Sequence, residues 1–208
     1  MDKVIYALGH SNYDLEKFLS LIRKYNIDCI VDIRGIPYSS FNTQYNREPL
    51  KAFLKRENIL YIYMGNEFAV QRNNTNLYNE KGYPDFKKVI LDKDFLNGVE
   101  RLKNGIEKGF TIGILGAKQD PINCHRYILV GRYLNNIGLN LKYILDDGSL
   151  KTHEELEEDL LNKFFKNRDQ MTLEEIIRGD SYKNELLEKA YEESNYIIAV
   201  RFEHIDKT

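Results

Sequence analysis

The sequence has few cysteines, which can form disulfides, and few prolines, which interrupt helices and strands. It contains two cysteines, four prolines and no tryptophan in 208 residues. Two cysteines do not suggest a disulfide framework, which favours a reducing compartment. No apolar run approaches the roughly 20 residues that a membrane-spanning helix needs, and residues 1–8 carry no cleavage-site pattern. We therefore expect a cytoplasmic protein without a membrane segment.

An excess of charge of one sign is also missing. The net charge is −2, although residues 151–208 hold 9 Lys+Arg against 15 Asp+Glu and residues 1–150 hold 21 against 17. A duplex-DNA binder usually carries a strong basic stripe, which this chain lacks. The mildly basic first part still allows a local anion site. The acidic tail is typical of a solvated surface, with partner binding as the alternative.

Familiar ligand motifs are absent as well. The sequence has no G-x-x-x-x-G-K-[ST] phosphate loop, and no G-x-G-x-x-G follows its first apolar run. His10, Cys124 and His125 lack the spacing of a recognised zinc site. We therefore predict neither a metal site nor a bound cofactor.

The chain does contain alternating strand-like and helical patterns over its first 146 residues. Apolar runs predict five strands, at residues 4–8, 29–33, 60–64, 111–115 and 141–145. The first, second and fourth are nearly all apolar, as strands covered on both faces are. Lys142 interrupts the last run, which places that strand at an edge. The pattern predicts an α/β domain over residues 1–150, with a mostly parallel sheet of about five strands and helices on both faces.

Four amphipathic helices are predicted between these strands. Apolar residues mark them at helical spacing: Leu15 to Ile22, Leu50 to Leu54, Phe95 to Ile106, and Ile128 to Tyr133, the last ending near Gly138. Ser11 and Asp14 resemble a capping box before the first helix. Pro49 suits the first position of the second helix.

Residues 151–208 have a different pattern and predict an acidic, mainly helical extension packed on the core. Segments 152–166, 172–178 and 181–193 look helical and strongly charged, and residues 196–202 fit a last strand.

Polar side chains cluster where the predicted strands end. The connections 35–47 and 65–84 are long and polar, and loops of this length are commonly functional or else disordered. Ligands of open α/β sheets bind outside the carboxyl ends of the strands. The residues expected there are His10, Ser11, Asp32, Arg34, Lys118, Cys124, His125 and Arg126. A hydrophobic core does not require such groups, so we predict a polar pocket at this edge.

Three of these residues are candidates for catalysis. We predict acid/base or nucleophilic roles for His10, Asp32 and Cys124. Each has a structural alternative, because His10 could orient a turn, Asp32 could form an ion pair with Arg34, and Cys124 could be a small residue packed beneath a helix.

Cys124 lies at the start of the fourth predicted helix. With Asp120 as the cap it falls in the first turn, and with Asn123 as the cap it is the first helical residue. Either position favours a thiolate, through the helix N-terminus and nearby cations. A thiolate-phosphatase loop would carry an arginine six positions later, where this chain has Val130.

Six residues are predicted to contact the ligand: Ser11, Arg34, Arg47, Lys118, His125 and Arg126. The forked donors of Arg34 and Arg126 suit a phosphate or carboxylate. Lys118 could instead face solvent. Arg47, in the first long connection, could stack on a base or sugar together with Tyr45.

Taken together, these residues resemble the domain of unknown function 488 family. The resemblance is carried over residues 3–165 by Gly9-His10-Ser11-Asn12, Leu15 with Phe18, Val31-Asp32-Ile33-Arg34, Pro37, Phe41-Asn42, Asn46-Arg47, Leu50, Gly82-Tyr83, Cys124-His125-Arg126, Asp147-Gly148 and His153-Glu154. It implies an α/β sheet domain and supplies no reaction, although some members are linked to DNA repair or nucleic acids. Where the family usually has Cys-Ala-Glu, this chain has Gly116-Ala117-Lys118. If the missing thiol and carboxylate are catalytic in the family, the activity of this chain is altered or lost.

The leading hypothesis is an enzyme acting on a nucleotide-like or other phosphorylated ligand. The alternatives are a non-catalytic module that binds nucleic acid or a nucleotide, and a protein-interaction component that uses the acidic tail. The expected partner is therefore a small anionic ligand or, alternatively, a nucleic acid, and no membrane association is expected.

Overall fold

A six-stranded sheet organises the part of the chain that the computed structural model describes, residues 4–166 and 177–203. The strands are β1 (Val4–Gly9), β2 (Cys29–Asp32), β3 (Leu60–Tyr63), β4 (Ile112–Gly116), β5 (Asn140–Ile144) and β6 (Leu150–Lys151). Their order is β3-β2-β4-β1-β5-β6, and all neighbours run parallel except β5 and β6. The predicted α/β class is confirmed, and each predicted strand is found within one residue of its expected ends.

Helices cover both faces of this sheet. They are α1 (Leu15–Lys24), α2 (Arg47–Arg56), α3 (Gly65–Phe68), α4 (Phe86–Val89), α5 (Lys93–Glu107), α6 (Arg132–Asn136), α7 (His153–Phe164) and α8 (Asp180–Glu203). A π-helical segment, Arg126–Gly131, leads directly into α6. No helix among the described residues is long and apolar enough to cross a membrane.

The strands bury side chains on both sides, which explains their nearly unbroken apolar runs. Leu8 and Ile30 pack with α1 and α2 on one face. Ala7 and Val31, their neighbours in sequence, pack on the other face in the larger cluster with α5, α7 and α8. Successive residues of a strand point to opposite faces of the sheet. One apolar run therefore contributes side chains to both hydrophobic clusters.

Three local predictions are corrected. Strand β5 is not at the edge, because β6 pairs antiparallel along its outer side. The N-cap of α1 is Asp14, whose carboxylate accepts the backbone N–H of Lys17, while Ser11 forms a left-handed turn at φ 45°. Pro49 is the third residue of α2 rather than the first, because the helix already begins at Arg47.

The strand predicted at residues 196–202 is wrong, because α8 continues to Glu203. Buried residues in this helix recur at helical spacing, as Ala190, Ser194 and Ile198 show. A short apolar run does not by itself distinguish a strand from a buried helix. The predicted helices 152–166 and 181–193 are found in α7 and α8. Of the predicted helix 172–178, residues 172–176 lie outside the described residues.

A buried network of hydroxyl groups ties α8 to the sheet. The ring nitrogens of His153 lie 3.0 Å from the Tyr143 hydroxyl and 3.2 Å from the Tyr191 hydroxyl. Tyr191 also donates to the Tyr127 hydroxyl at 3.1 Å. Burial lowers the pKa of His153 to about 4, so the folded protein holds this imidazole neutral at the centre of the network.

We expect the unfolding free energy to fall as the pH drops from about 6.5 toward 4. Unfolded His153 takes up a proton in this range, whereas the folded imidazole excludes it. The maximum effect is about 3 kcal/mol, at about 1.4 kcal/mol per pKa unit. The measurement is urea unfolding between about pH 7 and pH 5, in the native chain and in His153→Gln.

The His153→Gln curve should be flatter than the native one, although not flat, because burial also lowers the pKa of His10 to about 4. Glu157, which faces the same network, acts in the opposite sense because burial raises the pKa of its carboxyl group. Parallel curves for the two proteins would contradict the expected role of His153.

Candidate functional site

A cavity of about 520 Å³ lies at the carboxyl ends of β1, β2 and β4. Six of the nine predicted site residues line it: His10, Ser11, Arg34, Lys118, Cys124 and His125. Asp32 and Arg126 lie behind the lining and are fully buried, and Arg47 lies on α2 outside it. Residues distant in the sequence thus meet around one concave space.

The connections after β1 and β4 run side by side and form one wall of the cavity. The N–H of His10 donates to the Gly116 carbonyl at 3.3 Å, and that of Ser11 donates to the Ala117 carbonyl at 2.9 Å. Gly9 permits this approach, because a Cβ there would lie 1.8 Å from the Lys118 carbonyl oxygen. The pairing of β1 and β4 therefore continues past the strand ends.

Asp32 and Arg34 form a buried ion pair at the end of β2. The Asp32 carboxylate accepts from Arg34 Nε at 2.9 Å and Nη2 at 2.6 Å, and from the Tyr61 hydroxyl at 2.6 Å. Arg34 Nη2 also donates to the Tyr45 carbonyl at 2.9 Å. The structure therefore supports the predicted pairing of Asp32 with Arg34. The pair is also hydrogen-bonded to β3 through Tyr61 and to the loop after β2 through Tyr45.

The ring of His10 is held on three sides. Arg34 Nη1 lies 3.1 Å from its Nε2, Nδ1 lies 2.7 Å from the Ser11 carbonyl, and the ring stacks on Tyr45 with centroids 4.1 Å apart. Since Arg34 can only donate and the Ser11 carbonyl can only accept, the proton is on Nδ1. Burial, followed by the charge of Arg34, lowers the pKa of His10 to about 4.

Cys124 sits at the junction of a short 3₁₀ turn, Pro121–Asn123, and the helix that begins after it. Its backbone is extended, and its carbonyl accepts from Tyr127 and Ile128. Cys124 therefore precedes the helix instead of lying in its first turn, which corrects the prediction. The reason is that Asp120 caps only the 3₁₀ turn, by accepting the Ile122 N–H.

The thiol of Cys124 faces the ring of His125. Sγ lies 3.8 Å from Nδ1, while Nε2 lies 3.0 Å from the Ile33 carbonyl. Because that carbonyl requires a proton on Nε2, Nδ1 presents its lone pair to the thiol. Burial opposes ionisation of Cys124, but His125 and the charge of Arg126 outweigh it and lower the pKa of the thiol to about 6. The pair can therefore pass the thiol proton to Nδ1 of His125, which leaves a thiolate beside a positively charged ring.

Arg126 holds the connection after β4 in place. Its Nη1 donates to the Lys118 carbonyl at 2.6 Å and its Nη2 to the Gln119 carbonyl at 2.8 Å. A Cβ at Gly116 would lie 3.0 Å from Nη1 and 2.9 Å from Cys124 Sγ. The guanidinium thus faces the protein rather than the cavity, while its charge acts on the neighbouring thiol.

Arg47 and Lys118 occupy less central positions. The Arg47 guanidinium carbon stands 4.3 Å from the centre of the Tyr63 ring. Lys118 is exposed at the rim of the cavity. The structure brings Lys118, but not Arg47, to the candidate site.

Several lining residues were not among the predicted site residues, including Ile36, Tyr38, Tyr45, Gln71, Asn123 and Ile198. The two tyrosines lie in the long polar loop after β2, and their place in this loop could have identified them as site residues. Ile198 lies on α8, far away in the sequence, and an apolar residue in a helix carries no sign of a site.

Replacing Arg126 with methionine should lower the unfolding free energy by roughly 2–4 kcal/mol, because two partly buried carbonyls of the segment after β4 lose a charged donor. Chemical denaturation measures this loss. The control is Arg47→Met, which removes only a stacked cation and should cost about 1 kcal/mol or less. Equal losses in the two variants would contradict a structural role of the Arg126 guanidinium.

Comparison with known proteins identifies a family but no close relative. The model of the family described as domain of unknown function DUF488 matches residues 14–133, more than half of the chain. No curated protein and no solved structure matches the sequence. The matched span includes Arg34, Cys124 and His125 and ends before α7 and α8. The resemblance found in the sequence is thereby confirmed, and the chain belongs to the DUF488 family.

Proposed function

We propose that the protein is an enzyme that acts on a nucleotide-like or other phosphorylated ligand, with Cys124 as its nucleophile. The observation that carries this proposal is the pairing of Cys124 Sγ with His125 Nδ1 in the lining of the cavity. A thiolate is the reactive form of cysteine, and a neighbouring imidazole is a common device for producing it.

The charges around the cavity support an anionic ligand. Asp32 offsets the charge of Arg34 through its bidentate ion pair. Lys118 at the rim and the buried guanidinium of Arg126 add positive charge, and burial keeps His10 uncharged at neutral pH. A phosphate or carboxylate would therefore enter a positive potential even beside an ionised Cys124.

Two further lining residues of the cavity support a planar or apolar group on the same ligand. Ile36 and Tyr38, both more than half exposed, lie along the loop after β2 and line the cavity. A nucleotide combines such a group with a phosphate. Aromatic and aliphatic side chains provide contact area for a base, and cationic groups provide the phosphate contact.

The chemistry of the proposal follows from the proton positions. The thiol proton moves to Nδ1 of His125, whose other nitrogen is held by the Ile33 carbonyl. Sγ then forms a bond to the electrophilic atom of the ligand, the bond to the leaving group breaks, and the leaving group takes the proton from His125. Attack by water on the covalent intermediate releases the product and restores the thiol.

In this mechanism His10 and Asp32 position other groups. The Nε2 lone pair of His10 points at Arg34 Nη1. Both oxygens of Asp32 already accept from Arg34, and one also accepts from Tyr61. Neither residue offers a vacant acceptor to the cavity, so their predicted catalytic role is replaced in the proposal by a role in holding the lining.

A non-catalytic nucleotide or nucleic-acid module is the second candidate. Phe41 is 93% exposed on the same loop as Tyr38, which is 52% exposed. Exposed aromatic rings of this kind stack on unpaired bases. This candidate requires no reactivity of Cys124, which separates it from the enzyme.

A thermal-shift screen of nucleoside phosphates and sugar phosphates should find compounds that raise the melting temperature, because a ligand of the folded state stabilises it by mass action. Lys118→Ala should weaken the shift, and Lys103→Ala, on the surface beside Glu100, should leave it unchanged. Finding no stabilising phosphate compound, or finding equal shifts in both variants, would argue against the proposed ligand class.

Iodoacetamide should alkylate Cys124 at neutral pH far faster than Cys29, because burial raises the pKa of Cys29 to about 11. Replacing His125 with glutamine should slow the reaction of Cys124 by roughly tenfold or more, since the thiolate fraction falls as the pKa rises. Peptide mapping by mass spectrometry identifies the modified cysteine. Lys103→Ala, on the surface beside Glu100, is the control and should react at the native rate.

A further inference from the structure

A helix outside the matched family span reaches into the candidate site. Ile198 of α8 lines the same cavity as Cys124, whereas the family match ends at residue 133. Helix α8 packs against the 3₁₀ turn Pro121–Asn123 and against the π-helical segment Arg126–Gly131. The first of these elements ends just before Cys124 in the sequence and the second begins just after it. Helix α8 therefore contacts the chain both before and after the residue that carries the thiol.

The position of Ile198 is fixed by contacts one and two turns earlier in α8. The Asn195 side chain accepts the N–H of Phe86 and donates to the Pro84 carbonyl, both at 2.9 Å. Tyr191 joins the hydroxyl network of His153. Ile198 itself is only 4% exposed, and a β-branched side chain in a helix is nearly restricted to one rotamer. It therefore forms a rigid part of the wall.

A second element beyond the matched span supports the same part of the cavity. Lys163 Nζ, on α7, donates to the Asn123 side-chain oxygen at 2.9 Å, and Asn123 lines the cavity next to Cys124 in the sequence. The C-terminal helices thus contribute one lining side chain directly and hold another in place.

We infer that Ile198 is a specificity-determining residue, which limits the size of the apolar part of a ligand that can reach Cys124. The inference rests on the proposed function, because it takes Cys124 as the reacting group. The ligands selected are phosphorylated compounds whose apolar or planar part ends at the wall formed by α8. A hydrophobic wall of this kind discriminates between groups that differ by a methylene by roughly 10–200-fold.

Alkylation of Cys124 by two maleimides of different bulk tests this inference without knowledge of the substrate. The thiolate adds to the double bond, the new S–C bond forms, and the adjacent carbon takes a proton from water. The measured quantity is the rate with N-cyclohexylmaleimide divided by the rate with N-methylmaleimide, at neutral pH, with peptide mapping to assign Cys124.

Truncation of Ile198 should raise this ratio in steps. Ile198→Ala should raise it by roughly tenfold and Ile198→Val by less, and Ile198→Leu, with the same volume, should stay near the native ratio. If the alanine variant does not fold, the rate ratio of the valine variant is compared with the native ratio instead. Leu91→Ala, at a position that is 75% exposed and outside the cavity lining, is the control and should leave the ratio unchanged.

Two outcomes overturn the inference, and they are distinguishable. If Cys124 reacts rapidly but the alanine and valine variants keep the native ratio, Ile198 does not determine the size limit, while the proposed function stands. If Cys124 of the native chain reacts as slowly as Cys29 with both reagents, the thiol is not a nucleophile, and the proposed function fails together with the inference.

Discussion

Two buried guanidinium groups constrain the carboxyl edge of the sheet. An unpaired charge in the interior costs several kcal/mol, so fixed oxygens must surround Arg34 and Arg126. Asp32 and the Tyr45 carbonyl satisfy the first. Two carbonyls of the segment after β4 accept from Nη1 and Nη2 of the second, whose Nε is buried without a partner among the described residues. These contacts fix the loops after β2 and β4, and the loop after β1 pairs with the latter. The three loops, together with Ile198 of α8, enclose the cavity.

The same cations contribute to the chemical state of the groups that line this space. Burial and then Arg34 lower the pKa of His10, and His125 and then Arg126 lower the pKa of Cys124 against the effect of burial, because a positive charge disfavours imidazolium and favours thiolate. A neutral imidazole and an ionised thiol are therefore expected in one cavity. Cys29 is a useful contrast, because burial and then the charge of Asp28 raise the pKa of its thiol.

Much of this arrangement could be predicted from the sequence, because parallel strands bring their carboxyl ends to one edge. His10, Arg34 and Cys124 follow three predicted strands and do line one cavity. The direction of a long side chain could not be predicted, since Arg126 can point toward a ligand or toward carbonyls with the same local sequence. Ile198 was also out of reach, because its place depends on how α8 packs against distant turns. The last strand was mispredicted because its short apolar run fits a helix equally well.

The surroundings of Cys124, with His125 and Arg126 beside it, should let its thiol ionise below the ordinary cysteine pKa. The most direct measurement is the ultraviolet absorbance of the thiolate as a function of pH, taken as the difference between the native chain and Cys124→Ser. We expect this difference to titrate with a pKa of about 6. A difference that appears only near the ordinary cysteine pKa of about 8.5, or higher, would contradict it.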